Sequence, residues 1–198
     1  MTPPVPYPVA AKALLRETTF AAVRELLVDR DWGAVKMAEI AAGAGVSRQT
    51  LYNEFGSREA LAQAFILAEV ELFVSAVRGA VTANADNPTA ALSAAFQVFL
   101  EAAEHDPLVR AIVAGDGTDG LLALVTTHGE PVLERATAQL CAVLQEYWPA
   151  ASATDARLLA DAVVRLAISY AALPGGPSGV TAASVGELLG PFIERALR

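Results

Sequence analysis

Arg48, Gln49, Tyr52 and Asn53 lie close together in the run Ser47-Arg48-Gln49-Thr50-Leu51-Tyr52-Asn53-Glu54-Phe55. Leu51 and Phe55 are spaced i, i+4, so on a helix both face one side and leave the four polar residues on the other. Arg and Gln near a helix N-terminus have the fork and amide geometry that reads base edges in a major groove. A tyrosine hydroxyl and an asparagine amide suit phosphate oxygens. The chemistry of this cluster is therefore hydrogen bonding to duplex DNA.

Those side chains need a scaffold, and the flanking sequence describes one. The run from Lys36 to Leu61 reads as a short helix, a turn, a second helix and the start of a third. Met37, Ile40 and Ala41 share a face of the first, and Ala41 is small enough for another helix to cross close by. Gly45 marks the turn, where a positive φ is expected and a Cβ would be costly. Val46 is the apolar plug after it, and Ser47 is a good N-cap for the second helix. Ser57 caps the third, where Arg58 in the first turn can meet a phosphate beside the helix's positive end.

The segment Ile40-Ala-Ala-Gly-Ala-Gly-Val-Ser-Arg-Gln-Thr-Leu-Tyr-Asn-Glu-Phe-Gly-Ser-Arg-Glu-Ala-Leu61 resembles the hallmark of the TetR family of regulators. The strong resemblance covers about residues 10–67; beyond them only helical layout and length match. It implies DNA contacts by Lys36, Ser47, Arg48, Gln49, Thr50, Tyr52, Asn53 and Arg58. Two departures bear on this. The family often places Thr before its second helix, where this chain has Val35-Lys36, so Lys36 replaces hydroxyl capping with a charge contact. The usual Lys at the start of the fourth helix is Arg58, which keeps the charge. Glu54 would repel phosphate if it faced DNA and is expected to point away.

The composition agrees with a small DNA-binding part joined to a larger acidic part. Net charge is −8, but through Val70 there are seven Lys/Arg against eight Asp/Glu, and seven against fourteen after it. Any phosphate-binding face belongs to the near-neutral N-terminal third. Apolar residues make up 54% of 198, yet no uninterrupted apolar run reaches the roughly 18 residues of a membrane span. No membrane association is expected. Residues 1–8, rich in proline, read as an extended tail and carry no signal-peptide pattern. The single cysteine, Cys141, excludes an intrachain disulfide and fits a small buried hydrophobe in a cytoplasmic protein. Two lysines against twelve arginines, with abundant alanine, suggest a GC-rich genome such as an actinobacterium's.

Helical periodicity punctuated by Gly, Pro and Asx predicts an all-α protein of about nine helices. They are placed at 9–30, 36–43, 47–54, 57–81, 89–105, a short one from Pro107 to near Gly115-Asp116-Gly117, 118–147, 152–172 and 181–197. Gly129 and Pro131 should bend or interrupt the 118–147 stretch. Residues 173–179 form a loop. The domains are expected to be a helix-turn-helix unit over 9–56 and a sensing and dimerisation unit over 57–198.

Two wide apolar stripes need a partner face: Leu159, Ala162, Val163, Leu166 and Tyr170, and Val185, Leu188, Leu189, Phe192, Ile193 and Ala196. The resemblance implies a homodimer through residues 152–170 and 181–197, bound to a pseudo-palindromic double-stranded operator. The middle helices are expected to enclose a ligand cavity lined by Phe96, Phe99, Leu100, Leu121, Leu122, Val125, His128 and Tyr170, with His128 the best polar candidate. The apolar surplus between Leu92 and Leu166 favours a small apolar ligand: a long-chain acyl compound, a hydrocarbon derivative or a hydrophobic drug.

Glu101 and His105 stand at i, i+4 but no second histidine motif completes a metal site. There is no nucleophile elbow, no phosphate-cradling glycine loop and no repeated Glu-x-x-His. Neither an enzyme nor a bound cofactor is expected. A ligand-responsive regulator, a repressor by the resemblance, is the leading reading. A regulator governed by a partner protein without a cavity, and a small helical enzyme or carrier, are the alternatives.

Overall fold

The computed structural model describes residues 6–114, 120–172 and 181–196. Ten α-helices occur among them: α1 (Tyr7–Leu27), α2 (Met37–Gly43), α3 (Arg48–Phe55), α4 (Arg58–Ala83), α5 (Pro88–His105), α6 (Pro107–Ala114), α7 (Leu121–Val125), α8 (Glu130–Tyr147), α9 (Ala153–Ala172) and α10 (Ala182–Ala196). The count is ten because the stretch expected as one bent helix is α7 and α8. Gly129 packs on the Val125 carbonyl so closely that a Cβ would overlap it. Pro131 in the first turn of α8 lacks the N–H that would continue the earlier helix. A 3-10 turn, Trp32–Ala34, precedes α2 and was not expected. The tail through Val5, the Gly115-Asp116-Gly117 helix end and the 173–179 loop lie outside the described residues.

The chain divides into two compact units, Met1–Phe65 and Ile66–Arg198. The sequence boundary at 56/57 thus falls at the start of α4, whereas the structural one falls inside it. The first turns of α4 belong to the first unit because Leu61, Ala62 and Phe65 are buried there. The Phe65 ring lies 5.7 Å from that of Phe20, which lies 6.0 Å from Phe55. Val23, Trp32, Val35, Ile40 and Leu51 complete this core. Helices α1 and α2 cross closely at Gly43, where a Cβ would come 2.9 Å from the Ala22 Cβ. Ala41, the small residue expected at a close helix crossing, is buried in the same core.

In the second unit α5 pairs with α10 and α8 with α9. The α5–α10 seam is close because Gly186 faces Ser93 and Thr89, and a Cβ at Gly186 would overlap the Ser93 hydroxyl. Asn87 caps α5 by accepting the Ala90 N–H at 3.1 Å, with Pro88 in the first turn. The Trp148 indole N–H donates to the Ala85 carbonyl at 3.1 Å, tying the end of α8 to the segment before α5. By length and composition α4 could cross a membrane, with a mean hydropathy of 1.8 over its most apolar window. Its apolar residues go instead to two cores, Leu61 and Phe65 in the first unit and Val74, Val77 and Val81 in the second.

Candidate nucleic-acid interface and apolar cavity

In the first unit the turn between α2 and α3 is made at Gly45, whose φ of 69° is the left-handed conformation that glycine adopts without steric cost. Gly56, at φ 81°, makes the turn from α3 into α4. Ser47 starts α3 by accepting the Thr50 N–H at 3.0 Å, and its hydroxyl lies 2.8 Å from that of Thr50. Leu51 and Phe55 are buried, and Arg48, Gln49, Tyr52 and Asn53 are exposed along the opposite side. The Gln49 amide donates to Asn53 Oδ1 at 2.8 Å, and the Arg48 guanidinium lies 6.0 Å from the Tyr52 ring centroid. These contacts restrict the rotamers of a polar row before any ligand arrives, which lowers the entropy cost of binding.

Three charged residues hold that row in place. Glu54 turns inward, its side chain only 11% exposed, and pairs with Arg16 at 3.0 Å and Lys12 at 3.4 Å. Arg16 also lies 5.1 Å from the centroid of the Phe55 ring. The recognition helix is thereby strapped to α1, and the one acid on it is neutralised. Lys36 is exposed, and α2 begins without a hydroxyl cap. Glu39 supplies instead the reciprocal contact of a capping box, accepting the Lys36 N–H at 2.9 Å, while Arg30 grips the same carboxylate at 2.8 Å. The Arg30 hydrogen bond, then the backbone N–H of Lys36, hold the Glu39 carboxyl below its ordinary range.

Arg58 is placed differently from expectation. Its guanidinium lies 4.2 Å from the Trp32 ring centroid, donates to the Val35 carbonyl at 3.2 Å and also bonds the Trp32 carbonyl. It closes the 3-10 turn onto the start of α4 instead of standing out toward a phosphate. The pattern reading missed this because an aromatic partner 26 positions away in sequence gives no local signal.

The second unit contains a cavity of about 290 Å³. Its wall draws on α4 to α10, with Phe73, Phe96, Phe99, Leu140 and Val163 among the apolar residues. Of the residues named from sequence, Phe96, Phe99 and Val125 line it. Leu100, Leu121, Leu122, His128 and Tyr170 do not. Leu121 is fully buried, and Tyr170 packs edge-on against Phe96 at 5.9 Å. His128 is exposed, because residues 126–128 form the outer side of the reversal between α7 and α8. Its backbone N–H bonds the Ala123 carbonyl at 2.7 Å. The sequence missed the α4 and α8 walls, Phe73, Val74, Val77, Val132 and Leu140, whose apolar spacing matches any core helix.

His105 is exposed at the end of α5, and no group of three or more His, Cys, Asp or Glu suited to a metal occurs among the described residues. Cys141 is half-buried rather than enclosed, with its sulfur 3.9 Å from Gln145 Oε1. Of the two stripes expected at a subunit interface, Leu159, Val163, Val185, Ile193 and Ala196 are buried within this unit. Leu188 of the second stripe remains 70% exposed, and Leu158, which belongs to neither stripe, is 56% exposed.

Comparison with known proteins places both units. Residues 20–65 match the family model "Bacterial regulatory proteins, tetR family", and residues 87–191 match "Bacterial Tetracyclin repressor, C-terminal domain". The chain is 39% identical over 191 residues to the helix-turn-helix regulator AlkX of Mycobacterium tuberculosis, covering 96% of this chain and 90% of that one. The crystal structure of the TetR-family repressor AlkX from Dietzia sp., implicated in n-alkane biodegradation, superposes with a TM-score of 0.82. It is 38% identical, with 92% of this chain and 97% of that chain covered. The activator FasR of Mycolicibacterium smegmatis is 41% identical over 85 residues, 43% of this chain and 38% of its own length. These relatives are regulators rather than enzymes, and TetR-family proteins bind DNA operators as dimers. With a helix-turn-helix unit and a C-terminal unit that each match their family model, the chain belongs to the TetR family of transcriptional regulators.

Proposed function

We propose that this protein is a cytoplasmic repressor that binds a pseudo-palindromic operator as a homodimer and leaves it when a small apolar molecule fills the cavity of the second unit. The observation that carries the ligand half is that cavity: about 290 Å³, walled almost wholly by aliphatic and aromatic side chains. A void of this kind forgoes dispersion contacts, so the fold retains it at a cost that a bound apolar molecule offsets. The same void argues against a packed domain controlled only through a partner protein. Similarity to a repressor implicated in n-alkane biodegradation supports an aliphatic ligand class.

Arg48 and Gln49 read bases, Tyr52 and Asn53 contact phosphates, and Lys36, Ser47 and Thr50 flank them at the two helix starts. Arg58 is omitted from this set because it is engaged on Trp32. Homodimerisation uses the outer faces of α9 and α10, where Leu158 and Leu188 stand exposed. The ligand acts by population shift. DNA selects the dimer with recognition helices about 34–36 Å apart, or a multiple of that spacing. The ligand prefers a state in which α4, whose side chains enter both cores, has moved. Linkage makes each weaken the other by the same factor, typically about 5–150-fold. The test is a mobility-shift assay on DNA upstream of the protein's own gene, with competition by aliphatic compounds. A compound that stabilises the protein and leaves operator affinity unchanged contradicts the mechanism. A Leu188→Glu protein that still sediments as a dimer contradicts the interface.

A further inference from the structure

We infer that Trp148 fixes the longest unbranched aliphatic chain the cavity accepts, by closing one end of an elongated slot. This rests on reading the cavity as the effector site. The slot takes its shape from three helices that line it along their length. On α8 the lining residues recur every fourth position, at Val132, Ala136, Leu140 and Leu144, so one face of that helix stays on the cavity throughout. The ion pairs Glu71–Arg135 and Arg78–Glu146 run α4 and α8 in the same direction. Phe73 of α4 meets Phe99 of α5 edge-on at 6.0 Å, after the chain has reversed through residues 84–87. Val81, Pro88 and Trp148 of the lining therefore gather at one end, and Ile66, Ala102 and Val132 at the other. Between Pro88 and Ala102 the α5 wall extends about 21 Å at 1.5 Å per residue.

Trp148 is buried immediately after α8 and is held by side chain and backbone together. Its indole N–H donates to the Ala85 carbonyl at 3.1 Å, and its backbone N–H to the Leu144 carbonyl at 2.8 Å. Its own carbonyl accepts the Ala151 N–H at 3.0 Å. Beside it the Tyr147 hydroxyl lies 2.6 Å from that of Thr82, which ties this end of α8 to the last turn of α4. Aliphatic side chains elsewhere in the wall admit a longer ligand by changing rotamer. The indole has two side-chain torsions and gives up its hydrogen bond if it swings away.

Behind the indole lies a space of the opposite character. Asp86, Asn87 and Thr89 line a polar crevice there. Among the described residues Pro88, Trp148 and Ile193 border both this crevice and the cavity, and Trp148 is the largest of the three. The indole is thus the main partition between an apolar slot and a polar one. A chain that pushed past it would leave an apolar wall for a polar one, and the added methylenes would forfeit their transfer gain.

The experiment titrates octane, decane, dodecane, tetradecane, hexadecane and octadecane into the full-length protein, by thermal shift and by release of operator DNA. Affinity is expected to rise about fourfold per methylene while the chain is being buried. The rise should end by about sixteen carbons, because an extended chain advances about 1.25 Å per carbon along a slot of about 21 Å. In Trp148→Ala the plateau should move to longer chains by at least one member of the series. Should that variant not fold, Trp148→Phe is expected to move it in the same direction. A third readout uses the native indole, since Trp32 and Trp148 are the two tryptophans of the chain. Bromine quenches an indole on contact, so 1,10-dibromodecane should quench a share of the emission that decane leaves intact and that Trp148→Phe lacks. A plateau at the same length in the variants, no plateau in the wild-type protein, or unquenched emission at saturation overturns the inference and leaves the effector site standing. Alkanes that bind up to a Trp148-dependent length without releasing operator sustain the length limit and refute the effector reading. If no alkane binds, both fall.

Discussion

In the first unit Glu54 holds Lys12 and Arg16, Glu39 holds Arg30, and Arg58 sits on Trp32. Each of these contacts fixes a helix start or a helix face next to the polar row of α3. In the second unit the ion pairs Arg78–Glu146, Arg135–Glu71 and Arg165–Asp161 link partly exposed side chains, and part of the interior is void. The difference follows from what each unit must bind. Duplex DNA presents fixed donors and acceptors, so its reader gains from preorganised polar side chains. An aliphatic molecule has no directional groups along its length, and a loosely filled apolar chamber suits it better than a rigid one.

The largest expected test of this contrast is a pair of truncations. Phe20 is wedged between Phe55 and Phe65, so Phe20→Ala should cost about 3–5 kcal/mol in denaturant unfolding. Phe99 already borders the cavity, so its removal forfeits fewer contacts and Phe99→Ala should fall below that range. Equal costs would mean the cavity is collapsed in solution.

Next in size is the recognition row. Arg48→Ala and Gln49→Ala should each weaken the matched operator by about 1–3 kcal/mol in a mobility-shift titration, with little change in thermal stability. Loss of stability together with affinity would assign them to the fold instead.

The Glu54 strap should be smaller. A double-mutant cycle of Glu54→Gln with Arg16→Gln is expected to show a coupling of about 0.2–1 kcal/mol in stability. Operator affinity should drop in both single variants, because α3 loses its tie to α1.

The smallest effect concerns pH. The Glu39 carboxyl is held below its ordinary range by Arg30 and the Lys36 N–H. A folded-state value below the unfolded one contributes stability above the unfolded value, about 4.3 for Glu, and loses it as pH falls through the lower folded value. Glu39→Gln should therefore flatten the acid side of the stability profile measured by thermal unfolding between neutral pH and the acid limb.

Sequence alone determined the helix-turn-helix, because its signals are local. Ser47 caps within three residues, Gly45 needs no partner to take a positive φ, and Leu51 and Phe55 choose their face by helical period. The placement of Arg48, Gln49, Tyr52 and Asn53 on the outer side, and the inward turn of Glu54, follow from the same geometry. The interruption near residue 129 was legible for a similar reason, since Gly129 and Pro131 act on their own turn. Tertiary structure alone decided which apolar residues enclose a space and which fill one. Phe99 borders the cavity while Leu121 is packed solid, although both are apolar residues on predicted helices. It also decided that His128 faces solvent and that Arg58 finds Trp32. These outcomes depend on how separate helices cross and on partners far along the chain, and a period of 3.6 residues carries no information about either.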